Sequence, residues 1–398
     1  MRDWAASGVL ALTGHRDGPP LLPPGHAATT ARRLASWIAD ATCGTVQVDG
    51  GALLAERAAL TGHQRQGATS LGGSCRLLPT ADGWAAVSCA RPGDPLLLGA
   101  LVGETLGEDP WPTVAAWLRI TAGAELAERA ELLGVPAAPV HPRAAAPLWP
   151  ARPRPVAGLL VVDFSALWAG PLCAHLLGLA GARVVTVETP QRPDGARRGN
   201  PDFYRLLHGG HASVVLDPAT AGGRQSLQTL VRRADIVIES SRPRALARFG
   251  LSATEHVSGG GTWVSITAAG RASDRVGFGD DVAASSGLVA HDAAGLPVFV
   301  GDALADPLTG LTAAALAMSD PLGGGGALWD VSMADVVAAT LSGPAPEGRV
   351  ARGEHGWVVR GEEDVPVALP RARPPRGLAP TSGASTNEVL RGLGIAAP

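Results

Sequence analysis

From residue 159 onward, short uninterrupted apolar runs alternate with segments of helical length, a pattern suited to a parallel sheet covered on both faces. Leu159–Phe164 reads Leu-Leu-Val-Val-Asp-Phe and predicts a buried strand. A helix is expected over Ala169–Ala180, with Pro171 near its first turn, where a missing N–H costs least, and Gly181 at its end. Further strands are predicted over Arg183–Glu188, Ser213–Asp217, Asp235–Glu239 and Trp263–Thr267, with an amphipathic helix over Gly223–Arg233. Such units join through right-handed crossovers, so the expected fold class is α/β, with a Rossmann-like doubly wound parallel sheet.

A Pro-rich stretch, 141–155, precedes this half and breaks both helix and strand, so it is read as a linker. The expected organisation is a small α+β domain over 1–140, the linker, a Rossmann-like domain over 156–340, and a C-terminal tail segment over 341–398. In the first unit, Gly83–Cys89 follows the turn Thr80-Ala-Asp-Gly83 and predicts a strand, and Trp111–Leu133 carries helical apolar spacing closed by Gly134. The two halves also echo one another. Trp4–Gly14, Asp17–Pro20 and Gly25–Thr30 parallel Val282–Val289, Gly295–Pro297 and Gly301–Asp306, with Thr29 or Thr30 standing where the second copy has Asp306.

Composition excludes several chemistries. The 33 basic residues are all arginine, which removes a Schiff-base lysine and a P-loop lysine. A net charge of −3 without a basic stripe argues against nucleic acid as a partner. Cys43, Cys75, Cys89 and Cys173 lack CxxC spacing, which fits a reducing cytoplasm, and no apolar run is long enough to span a membrane. His208 and His211 lack a third ligand nearby, so no metal is expected, and a GxSxG elbow is missing.

The segments 158–171 and 179–190, with Ala212–Asp217, Ala234–Pro243, Phe249–Leu251 and Trp329–Asp335, resemble in that order the family III CoA-transferases. That family includes formyl-CoA and carnitine CoA-transferases and α-methylacyl-CoA racemase. The tail 370–394 is similar to the family's C-terminal signature, whereas Pro79–Ser88 and Glu128–Pro139 look like a small domain that other members carry after the catalytic region. The chain therefore reads as a rearranged member in which the small domain comes first.

The resemblance implies a nucleophile at Asp306, which would form an acyl anhydride and then an aspartyl-CoA thioester. The residues alone make Asp306 a good N-cap, with Pro307 at the first helical position. Asp280 is the second catalytic candidate. Transferases of the family place an acid near it, racemases a His-Asp pair, and Phe278-Gly-Asp-Asp281 offers no histidine. For coenzyme A the resemblance points to Leu167, Trp168 and Ala169 along the pantetheine and nucleotide path and to Arg248 on a phosphate, with Arg192 and Arg242 nearby. His211 stands where most members have lysine, and Thr189 where many have arginine. The Gly323–Gly326 run is read as a flexible connection. Coenzyme A is thus expected as a substrate, not a permanent cofactor, with an acyl-CoA and a carboxylic acid acceptor as partners and a homodimer as the assembly. A racemase or isomerase on the same scaffold, and a non-catalytic CoA-binding subunit, are the alternative readings.

Overall fold

The computed structural model describes residues 1–396 apart from 242, 321–323, 344, 345, 347 and 362. The small sheet near the N-terminus is antiparallel, in the order β1 (Cys75–Pro79), β2 (Trp84–Ser88), β3 (Ala137–Pro139). Its helices bury Leu98, Leu101, Val114, Leu118 and Leu126 in a core of their own. The helical spacing over Trp111–Leu133 is not one helix but two, Trp111–Leu118 and Gly123–Leu133. The break has a polar cause. Asp82, in the β1–β2 turn, accepts the Gly123 N–H at 2.9 Å, and the Ala81 N–H donates to the Thr121 carbonyl at 3.0 Å. Ala122 is extended between them, with ψ of 147°.

The second half builds the sheet that the sequence predicts. Its strands are β4 (Leu160–Asp163), β5 (Arg183–Glu188), β6 (Ala212–Val215), β7 (Ile236–Glu239) and β8 (Thr262–Thr267). A hairpin of β9 (Val289–His291) and β10 (Pro297–Phe299) follows, and then β11 (Ala327–Ser332) completes a six-stranded sheet in the order β11-β8-β7-β4-β5-β6. Every pairing in it is parallel. The strand order reverses direction on either side of β4, so a crevice opens at the carboxyl ends of β4 and its neighbours β5 and β7. The Ala169–Leu179 helix is almost wholly buried because it packs between the sheet and the Ala305–Ala317 helix. Gly310 permits that close approach. A Cβ there would lie 2.7 Å from the Ala169 carbonyl oxygen and 3.0 Å from Leu172 Cβ.

The cores divide differently from the expected boundary at residue 140. Trp4, Leu34, Ile38, Leu54 and Leu71 share one continuous core with Val161, Leu172 and Leu311, so the first 71 residues pack as part of the larger body. The echoed segments share flanking helices but not what lies between them, a short 3-10 turn at Leu10–Leu12 in the first and the β9–β10 hairpin in the second. Arg2–Ala6 and Ala27–Ala41 are helices in the first copy, Gly279–Ser285 and Ala305–Ala317 in the second. Ala27–Ala41 packs against Ala305–Ala317, and the Gly301 N–H donates to Thr13 Oγ1 at 3.2 Å.

The Pro-rich stretch is extended yet fixed at both ends. Arg143 pairs with Asp335 at 2.5 Å, and Arg154 donates to Thr262 Oγ1 at 2.8 Å. After a small sheet of Arg349–Gly353, Gly356–Arg360 and Val365–Pro366, the tail crosses the first half as a strap. Arg371 pairs with Asp49, and Arg373 pairs with the buried Glu56 at 2.9 Å. The tail then reaches the edge of the main sheet, where the Ser385 N–H is received by Ser213 O at 2.9 Å. Among the described residues, no helix is long and apolar enough to cross a membrane.

Candidate active site

Asp306 lies in the first turn of the Ala305–Ala317 helix, but not as its cap. The helix starts one residue earlier, Leu304 is the N-cap, and Asp306 and Pro307 take the second and third positions. The expectation of an N-cap is therefore corrected. A capping carboxylate would be spent on its own helix, whereas this one is directed elsewhere. The backbone N–H groups of Ala169 and Gly279 point at it and favour its ionised form. Gly279 is pressed against it: a Cβ at that position would stand 2.2 Å from Asp306 Oδ2 and 2.5 Å from the Ala303 carbonyl oxygen.

The second candidate, Asp280, is brought to the same place. Its Oδ1 accepts the Ala303 N–H at 2.9 Å, and Ala303 holds a left-handed φ of 47°, uncommon for a residue with a side chain. This loop therefore ties the Asp280 carboxyl to the chain immediately before Asp306. Asp281 turns away. It is fully buried, and its Oδ1 accepts from Ser88 Oγ at 2.8 Å and from the Phe278 N–H at 2.9 Å.

Two residues that the sequence reading passed over complete the cluster. Arg57, in the Glu56–Thr61 helix, donates from Nε to Asp302 Oδ2 at 2.8 Å and from Nη2 to Asp302 Oδ1. Its guanidinium carbon stands 4.9 Å from the centre of the Trp168 ring, and its charge acts on both Asp280 and Asp306. Asp302 is fully buried. Burial, and then the negative charge of Asp280, push the Asp306 carboxyl up to about 7 against the opposing pull of Arg57. Burial likewise raises Asp280 to about 6, with Arg57 again opposing and Asp302 adding to the rise. The signal for Arg57 was a charged pair, Glu56-Arg57, inside the apolar run Leu53–Leu60. Asp302 was hidden by standing in the same segment as Asp306.

The residues expected on the coenzyme A path separate into groups. Leu167 is 41% exposed and follows β4 with a left-handed φ of 71°, a strain of order 1 kcal/mol or more that its N–H bond to Asp194 Oδ1, 3.0 Å long, helps to hold. Trp168 is buried, with its ring under Arg57, and Ala169 offers its N–H to Asp306. Arg192 is exposed just beyond β5, and Arg248 is exposed beyond the Pro243–Ala247 helix that follows β7. Leu167, Arg192 and Arg248 thus follow three adjacent strands, β4, β5 and β7, at the crevice edge. His211 is not brought to that edge. It is buried with His175 and His208, at ring-centre distances of 5.7 and 5.8 Å, and burial holds it well below its ordinary pKa. Arg242 and Gly323 lie outside the described residues, while Gly324 and Gly325 have positive φ.

A doubly wound α/β sheet whose crevice adjoins a cluster of partly buried aspartates defines the class of fold and site. The model of CoA-transferase family III matches residues 156–369, more than half of the 398 residues, and the chain belongs to that family. It is 33% identical over 110 residues to formyl-CoA:oxalate CoA-transferase of Escherichia coli O6:H1, 26% of each chain. It is 29% identical over 217 residues to succinate–glutarate CoA-transferase of Agrobacterium fabrum, 48% of this chain and 54% of that one. The chain therefore spans about a quarter to a half of the length of these curated relatives. Among solved structures it is similar to a CaiB/BaiF family protein from Brucella suis, at 24% identity and a TM-score of 0.46 over 52% of this chain and 66% of that one. It is also similar to the hypothetical protein Rv3272 from Mycobacterium tuberculosis, at 28% identity and a TM-score of 0.43 over 47% and 57% of the two chains.

Proposed function

We propose that the protein is an acyl-CoA:carboxylate CoA-transferase in which Asp306 is the nucleophile. The observation that carries this reading is the setting of Asp306. It is a carboxylate that does not cap its own helix, faces the Ala169 and Gly279 N–H groups, and lies beside a second acid and a partly buried arginine. A carboxylate in such a place is desolvated enough to be reactive and has a cation to keep it charged.

The Asp306 carboxylate attacks the thioester carbonyl, the C–S bond breaks, and the CoA thiolate leaves behind an acyl–aspartyl anhydride. The thiolate attacks the Asp306 carbonyl of that anhydride, releasing the first acid as its carboxylate and forming an aspartyl-CoA thioester. The acceptor carboxylate attacks the same carbonyl and expels the thiolate, which then attacks the acceptor's acyl carbon and frees Asp306. No net proton is consumed. Asp280, the more acidic of the two, contributes a negative charge beside Asp306 that raises the affinity of that carboxylate for a proton.

Coenzyme A is assigned to the crevice, where Leu167, Arg192 and Arg248 follow β4, β5 and β7, with the arginines meeting phosphate through their forked N–H donors. Arg57 comes from the same chain as Asp306. The homodimer implied by the family resemblance is a separate question, read by light scattering.

The test is exchange of an isotopically labelled free acid into its CoA ester, beginning with the small carboxylates that the relatives' names contain. A transferase incorporates label only when an acceptor acid is present and yields a hydroxylamine-trappable adduct at Asp306. Both signals should vanish in Asp306→Ala and Asp306→Asn. Wild-type turnover by Asp306→Ala would end the proposal, and deuterium entering Cα without an acceptor would replace transfer by racemisation.

A further inference from the structure

The proposed reaction leaves the source and fixing of the cation beside Asp306 unexplained. Arg57 is contributed by the half of the chain that precedes the sheet, and nothing in the transfer steps requires it to bond a substrate. Its geometry is nevertheless closely determined. Asp302 receives two of its N–H groups, and the Trp168 ring lies 4.9 Å from its guanidinium carbon. The neighbouring Glu56 is fixed by two bonds from Arg373, of 2.9 and 3.1 Å, so the start of the Glu56–Thr61 helix is anchored from both directions.

The charges acting most strongly on Asp306 are those of Arg57 and Asp280, those acting most strongly on Asp280 are Arg57 and Asp302, and Asp280 in turn acts on the buried Asp281. From the Ala169–Leu179 helix Asp306 meets a backbone N–H, and from the Gly279–Ser285 helix it meets the Gly279 N–H and Asp280. Three carboxylates thus share one arginine. Without that cation, two adjacent acids could not both stay charged in so little solvent.

We propose that Arg57 is the positioning residue of this site: pinned by Asp302 and stacked on Trp168, it is the cation that holds the Asp306 carboxylate charged and aimed beside Asp280. Arg57 acts through the carboxylates and does not touch the substrate. The inference deepens the transferase reading, but its decisive measurement requires no turnover.

Protein labelled with 13C at aspartate side-chain carboxyls is titrated by NMR, with the Asp306 signal assigned by its loss in Asp306→Asn. In the wild type the midpoint should lie near 7. In Arg57→Met and Arg57→Gln it should rise by about one pH unit or more, while Arg57→Lys should restore most of the difference. Thermal melting identifies which variants fold, and two neutral side chains guard against failure of either. Equal midpoints in wild type and a folded neutral variant would overturn the proposal, as would an equal rise in Arg57→Lys and Arg57→Gln. A purely structural arginine would lower Tm in all three without moving the midpoint. If the midpoint moves as stated and no labelled acid is exchanged, the transferase reading fails while the role of Arg57 stands.

Discussion

Arg57 and Asp302 close a double hydrogen-bonded ion pair between segments 245 residues apart, with Nε to Oδ2 at 2.8 Å. The pair is one of several contacts that join the two halves of the chain. Asp302 is fully buried, so its charge is tolerable only where a fixed cation is supplied, and the sole direction from which Arg57 can come is the packed first half. The same contact therefore also fixes a positive charge near Asp306.

Gly279→Ala tests how closely the site is built. The added Cβ would meet Asp306 Oδ2 at 2.2 Å and the Ala303 carbonyl oxygen at 2.5 Å, both too near to persist. If Asp306 is the nucleophile, moving its carboxylate by the roughly 1 Å needed should cost about 100-fold in kcat/KM for labelled-acid exchange. Wild-type exchange by this variant would mean that the Asp306 carboxylate is not held where the geometry places it.

The pH dependence of stability should have an unusual sign at this cluster. Asp306 is raised to about 7 and Asp280 to about 6 in the folded chain, against about 3.9 for an aspartate in the unfolded one. Between those values the folded state binds more protons than the unfolded state, so the cluster's contribution is full at low pH and is lost as pH rises toward 7. Asp306→Asn removes the loss and should raise Tm at pH 8 by about 1–3 °C while changing it little at pH 4. Scanning calorimetry of both proteins at the two pH values gives the comparison, and a larger gain at pH 4 would contradict it.

Gly310→Ala should separate the Ala305–Ala317 and Ala169–Leu179 helices, because its Cβ would lie 2.7 Å from a backbone oxygen that cannot rotate away. Overpacking of this kind costs about 1–3 kcal/mol, measurable as a lower urea midpoint. An unchanged midpoint would show that the helices have room to spare.

The strap offers another reading of the first half. Arg373→Ala leaves the buried Glu56 without its cation, and burial already pushes that carboxyl upward. The loss should be about 2–4 kcal/mol at pH 8 and smaller at pH 5, where the carboxyl can accept a proton. Glu56→Gln on top of Arg373→Ala should recover part of it in the same urea titrations.

Much of the fold was legible because a parallel sheet writes itself locally. The apolar runs at Leu160–Asp163, Arg183–Glu188 and Ile236–Glu239 are buried strands whose limits fall within a residue or so of those expected. The break at Thr121–Ala122 was not legible, because it is imposed by Asp82 from a separate turn. Asp306 and Asp280 could be picked out by their motifs, and the structure brings them together. Arg57 could not, because its role comes from a contact across the whole chain and leaves only a charged pair in an apolar run as its local trace. His211 failed for the opposite reason: a position matched to a family pattern does not say that the side chain reaches the crevice, and this one is packed among two other histidines.

The packing of the Ala27–Ala41 helix against the Ala305–Ala317 helix has an evolutionary side. Where two identical chains meet across a symmetric contact, every substitution is made twice and each half must tolerate its own image. Here the echoed segments are encoded separately, so Thr29 and Thr30 could drift to residues that chemistry has no use for while Asp306 stayed an acid. Joined in one chain, the two segments are free to change independently, one toward packing and the other around its acid.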